Sequence, residues 1–84
     1  MTERLNIRFR PVEGAVVRMV GLVERRGYLV RGLSMTERPG GASLSIDVEP
    51  RDASRQVQVL AQQLGRLIDV TEITHAPLDP GSHA

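Results

Sequence analysis

Residues 4–27 read RLNIRFRPVEGAVVRMVGLVERRG, and within them the spacing of apolar side chains changes from strand-like to helix-like. Leu5, Ile7 and Phe9 alternate with Arg4, Asn6, Arg8 and Arg10, the pattern of a strand with one dry and one wet face. Pro11 ends that strand, because proline has no N–H to give to a ladder. Val16, Val20 and Val23 then recur at i, i+4 and i+7, with Val17 widening the stripe. That spacing predicts a helix from Glu13-Gly14 to about Arg26. Glu13 stands where negative charge suits a helix start, and Arg25-Arg26 where positive charge suits its end. Gly27 fits the position after the helix, where φ turns positive.

The same strand–helix plan returns downstream. Tyr28 to Thr36 reads as a strand whose alternation changes phase: Tyr28 and Val30 lie on one phase, Leu33 and Met35 on the other. Gly32 falls at the switch, so a bulge is expected there. Pro39-Gly40-Gly41 is a turn signal. Beyond it Leu44, Ile46 and Val48 alternate with Ser43, Ser45, Asp47 and Glu49, the second arm of a hairpin closed by Pro50. Asp52 or Ser54 is expected to cap a second helix, with Val57, Leu60, Ala61 and Leu64 as its apolar stripe and Gly65 at its end. Residues 67–75, with Val70 and Ile73, read as a last strand. The expected order is βαββαβ, an α+β ferredoxin-like fold. Right-handed crossovers put both helices on one face of a four-stranded antiparallel sheet of order 4-1-3-2. Strands two and four are then the edges, open to pairing with another chain. Residues 1–76 form the domain, and residues 77–84, with Pro77, Pro80, Gly81, Ser82 and His83, are expected to be a disordered tail.

Composition narrows the function. Eighty-four residues make one small domain, and a domain of this size buries only about 60–65% of its unfolded surface. Tyr28 and Phe9 are the only aromatics, too few for a base-stacking platform. The formal charge is +1 with both signs dispersed, so no basic block marks a nucleic-acid surface. Without cysteine there are no disulfides, thiol nucleophiles or cysteine metal sites. No apolar run reaches the roughly 18–20 residues that span a bilayer, and Met1-Thr2-Glu3-Arg4 does not open a signal peptide. A cytoplasmic location is expected.

Catalytic groups are sparse. Histidine occurs only at His75 and His83, and Asp47 and Glu49 are best read as a solvated strand face. No nucleophile–base pair, metal-ligand spacing or phosphate-cradling glycine loop is visible. One feature stands out, the strand-to-helix corner Arg10-Pro11-Val12-Glu13-Gly14-Ala15-Val16. A glycine there lets a ligand approach the backbone, and the first helical N–H groups have no partner inside the helix. Such a corner suits a carboxylate or phosphate, or is a plain helix start.

The corner Gly14-Ala15-Val16 resembles that of the ACT domain. Two further segments resemble the small subunit of acetolactate synthase (acetohydroxyacid synthase): residues 20–28, Val20 to Tyr28, and residues 63–70, Gln63-Leu64-Gly65-Arg66-Leu67-Ile68-Asp69-Val70. The similarity covers residues 4–75 and is to the short, single-domain type. It implies a non-catalytic subunit that activates a large catalytic partner in branched-chain amino acid biosynthesis. Thiamine diphosphate, Mg and FAD would belong to that partner, and no cofactor to this chain. It also implies a homodimer through edge strands, with valine, isoleucine or another branched-chain effector at the junction. The effector's carboxylate would meet the amides at Glu13, Gly14 and Ala15, beside Pro11 and Val12. Its other end would meet Leu29 and Val30 of the neighbour. Pro11 and Leu29 replace residues that are usually asparagine in valine-sensitive members, so binding here would rest on backbone amides. The alternatives are a stand-alone amino-acid-sensing ACT module regulating another enzyme, and an RNA-binding or acylphosphatase-like protein of the same topology. The last is disfavoured by the missing aromatics and by a single asparagine, Asn6, lying in the first strand.

Overall fold

The computed structural model describes residues 2–78. Its elements are β1 (Glu3–Phe9), α1 (Ala15–Arg25), β2 (Tyr28–Arg38), β3 (Gly41–Pro50), α2 (Val57–Gly65) and β4 (Val70–Pro77). The four strands form one antiparallel sheet of order β2-β3-β1-β4, which is the expected 4-1-3-2 read from the other side. The chain therefore has the βαββαβ ferredoxin-like fold, with β2 and β4 as edges.

The alternation seen in the sequence is what builds the sheet. Leu5, Ile7 and Phe9 on β1 pair across with Ile46, Leu44 and Ala42 on β3, and all six are buried against the helices. Of the ten most deeply buried side chains, six come from β1 and β3, and four come from the helices: Met19, Val23, Leu60 and Leu64. The core thus lies between the two central strands and the helix pair. Each such side chain contributes roughly 1.5–3 kcal/mol.

α1 turns a different face inward from the one its valines suggest. Ala15, Met19, Leu22 and Val23 are buried, Val16 and Val20 lie at the margin, and Val17 is 75% exposed. Both stripes have helical spacing. The longer Met19 and Leu22 reach the sheet, and that settles the rotation. Gly14 (φ 80°) starts the helix and Gly27 (φ 89°) follows it, both in the left-handed region. Glu13 lies before the helix, whose first turn holds no acid.

The bulge expected at Gly32 is present. Val30 pairs with Val48 and Gly32 with Asp47, so Arg31 is the extra residue. Past it, Leu33 and Met35 oppose Ile46 and Leu44 and share their face of the sheet. Gly32 has its own reason: a Cβ there would lie 2.9 Å from Asp47 Oδ2. That carboxylate accepts from Arg4 Nε at 2.7 Å, and Glu49 accepts from Arg31 Nε at 2.7 Å. Asp47 and Glu49 are thus two separately paired acids.

Three expectations need correction. Neither Asp52 nor Ser54 caps α2: its N-cap is Gln56, without a side-chain cap, and Asp52 Oδ1 instead accepts from the Ser54 N–H and hydroxyl in the preceding turn. Residues 67–69 are a turn, closed by Val70 N–H to Leu67 O at 3.0 Å, so the last strand starts at Val70. It also continues to Pro77, and Leu78 N–H donates to Thr2 O at 2.8 Å. The rest of the expected tail, residues 79–84, lies outside the described residues. No helix among the described residues is long and apolar enough to cross a membrane.

Candidate functional site

The corner joining β1 to α1 is strapped to the turn before β4. Arg10 N–H donates to Asp69 O at 2.8 Å, and Arg10 Nη2 to Ile68 O at 3.0 Å. Val12 N–H folds back on Arg10 O at 2.8 Å, around Pro11. Arg18, on the first turn of α1, donates to the Asp69 carboxylate and, at 3.5 Å, to Glu13 O. Asp69 is 7% exposed and is the only buried charged residue among those described. Its ion pair with Arg18 fixes the corner against the far end of the chain. A buried acid without that partner would be costly.

Gly14 is required twice over. Its φ of 80° is strained for any side chain, and a Cβ would stand 3.0 Å from Arg18 Nη1. Of the three amides expected to face a ligand, Ala15 N–H is already used, donating to Val12 O at 3.0 Å. The Glu13 and Gly14 amides donate to no backbone group among the described residues. The corner therefore offers two amides at the positive end of a helix, flanked by a guanidinium. Such a group of donors can take a carboxylate.

Pro11, Val12, Glu13, Gly14 and Ala15 lie together, and all but Ala15 are exposed. Leu29 and Val30 lie at the other end of α1, some 16 Å away along an 11-residue helix. One chain does not bring the two groups together. Arg18 and Asp69 were not foreseen. They are 51 residues apart, and no local pattern links an arginine on a helix to an aspartate in a turn.

The other candidate groups are not joined into chemistry. His75 stands on β4 with Nδ1 3.7 Å from Glu3 Oε1, while His83 lies outside the described residues. Among the described residues no three histidine, cysteine or acidic side chains are placed to hold a metal.

A family model for the ACT domain matches residues 11–73, from the corner to the middle of β4. This chain belongs to the ACT domain family. The ACT domain of a GTP pyrophosphokinase from Chlorobium tepidum superposes with a TM-score of 0.74 at 10% identity, over 90% of this chain and 97% of that one. The C-terminal domain of the MgtC protein from Mycobacterium tuberculosis gives 0.69 at 14% identity, over 89% and 84%. Formyltetrahydrofolate deformylase from Burkholderia mallei gives 0.64 at 15% identity, over 89% of this chain but 27% of that longer one. At these identities the likeness is one of fold. No curated protein sequence matches. ACT domains are small regulatory, amino-acid-binding modules without catalytic groups, and this chain is one of them.

Proposed function

We propose that this ACT domain is the activating and regulatory small subunit of an acetolactate synthase. The observation that carries the reading is the pair of segments, residues 20–28 and 63–70, that resemble that subunit. The first forms the end of α1 and its Gly27 stop, and the second contains Asp69, the partner of Arg18 at the corner. The large subunit would supply the thiamine diphosphate, Mg and FAD chemistry, and this chain a folded surface that raises its rate.

Two copies are expected to join edge to edge through β2. Leu33 and Met35 support this: they lie on the helix side of the sheet, yet are 52% and 42% exposed, past the reach of α1. Apolar side chains beside an open ladder invite a second strand. A two-fold pairing of β2 with its copy would also carry the neighbour's Leu29 and Val30 toward the corner, completing a site for a branched-chain amino acid. A stand-alone amino-acid sensor acting on another enzyme is the second reading, favoured by the open amides of Glu13 and Gly14.

Reconstitution separates the two. The purified chain should have no synthase activity and should raise that of its large subunit; no stimulation at excess small subunit rejects the first reading. Calorimetric titration with valine, leucine and isoleucine tests the effector: three flat titrations reject both the sensor and the feedback role, while leaving activation intact.

A further inference from the structure

Tyr28 is a buried polar side chain that the corner leaves unused. It is 3% exposed, yet its hydroxyl has no hydrogen-bond partner among the described residues and is not sealed off within the core. It lines a cleft of about 230 Å³ where the end of α1 faces the start of α2. Tyr28, Leu60 and the exposed Val59 give this cleft an apolar wall. Arg26, Arg55 and Gln56 stand at its rim.

The rim has unspent positive charge. Arg26 makes no ion pair among the described residues. Arg55 reaches Asp52 at 3.6 Å, an exposed pair of little worth. Of the acids that act on the cleft, Asp52 is engaged by the Ser54 N–H and hydroxyl, and Glu3 lies on β1, outside the lining. α2 starts beside Arg55 with no side-chain cap and no acid in its first turn. Gly27 sets the position of Arg55, because a Cβ there would stand 2.6 Å from Nε. Burial pushes the Tyr28 hydroxyl above its ordinary pKa, with Arg55 opposing and Glu3 and Asp52 adding, so it stays a donor at neutral pH.

We propose that this cleft binds a small monocarboxylate with a short branched aliphatic group and no ammonium. Arg26 and Arg55 hold the carboxylate, the Tyr28 hydroxyl donates to it, and Val59 and Leu60 cover the aliphatic group. The volume is below the ~300–1,000 Å³ of drug-sized sites and suits a small metabolite. An inorganic anion would leave the apolar wall unused. An ammonium would sit among cations. The site lies at the opposite end of α1 from the corner and stands apart from the reading of that corner as an effector site.

The test is a titration of the whole chain with isovalerate at constant ionic strength, followed by amide chemical shifts. Saturable shifts are expected at residues 26–28 and 54–60, with half-saturation on the order of 1–10 mM. Arg55→Gln should weaken binding about tenfold, and Tyr28→Phe about threefold, since it keeps the ring and removes only the donor. Val59→Glu, at an exposed position, should abolish binding without disturbing the core. Valine should shift these amides less than isovalerate. Shifts confined to residues 11–15, unchanged affinity in Arg55→Gln or Val59→Glu, or equal responses to valine or inorganic phosphate would overturn the proposal.

Discussion

Gly27 and Gly40 share a φ of 89° but differ in surroundings, and substituting each by alanine should separate backbone strain from crowding. Gly40 closes the hairpin after Pro39, and a Cβ there meets nothing within 4 Å. Gly40→Ala should therefore cost only the left-handed backbone, about 1 kcal/mol. In a domain of this size that lowers Tm by roughly 4–8 °C. At Gly27 the same backbone cost applies. In addition, the new Cβ would stand 2.6–3.0 Å from the Arg55 guanidinium. Arg55 is flexible and its side chain is 44% exposed, so moving it adds about 1 kcal/mol, the low end for overpacking. Gly27→Ala should then lose roughly 8–16 °C. Gly27→Ala in an Arg55→Ala background should lose only what Gly40→Ala loses, because the crowding partner is gone. Calorimetric melts of these three variants and of their two parents, the unmodified chain and Arg55→Ala, decide the matter. A neutral Gly27→Ala, or a double variant that does not close the gap to Gly40→Ala, would refute the reasoning.

Further outcomes follow from the corner, the acids and the open edge. Arg18→Ala should cost about 1–3 kcal/mol, because it leaves the buried Asp69 carboxylate unpaired, and Asp69→Ala less, because water solvates the half-exposed Arg18 it frees; melts rank the two. Hydrogen bonds from Ser54 hold the Asp52 carboxyl below its ordinary value, and Arg31 does the same for Glu49. Both shifts are downward, so the stability they lend is present above the unfolded pKa values, near 4, and fades as pH falls through the lowered folded values. Ser54→Ala and Arg31→Ala should each flatten that acid limb in melts recorded from pH 7 to pH 2, lowering Tm slightly at pH 7 and leaving it unchanged at pH 2. The proposed pairing through β2 predicts that the chain sediments as two copies and the Leu33→Lys, Met35→Lys variant as one; a variant that still sediments as two would place the contact elsewhere, and a parent chain that sediments as one would refute the pairing.

Much of the architecture could be read from residue order because strand and helix periods differ and each was bounded by proline or glycine. Pro11 and the Pro39-Gly40 pair punctuate the chain where the elements change. Two near-equal stripes on α1 could not be ranked that way: Met19 and Leu22 face the sheet, and Val17 faces solvent, because of what lies opposite them. The α2 cap is illegible for a related reason. Asp52 and Ser54 satisfy each other in a local turn, so neither is free for the helix. Of the corner, Gly14 was legible through its backbone demand. Arg18–Asp69 was not, because the pairing depends on the β4 turn reaching the start of α1. The cleft at Tyr28 is hidden likewise, since its lining residues are drawn from two elements, β2 and α2, and from the connections before each.

The extra residue at Arg31 bears on how relatives of this chain are compared. It splits β2 into two halves of opposite phase, Tyr28–Val30 and Leu33–Arg38. A relative that pairs these strands without the bulge corresponds to this one only through a one-residue gap in the middle of a strand. Gap rules that confine insertions to loops would then slide Leu33–Arg38 by one position, setting each inward apolar side chain against an outward polar one. Deleting Arg31 from the molecule would instead remove the bulge and give β2 one unbroken alternation, with Leu33 and Met35 still opposite Ile46 and Leu44 on the helix face.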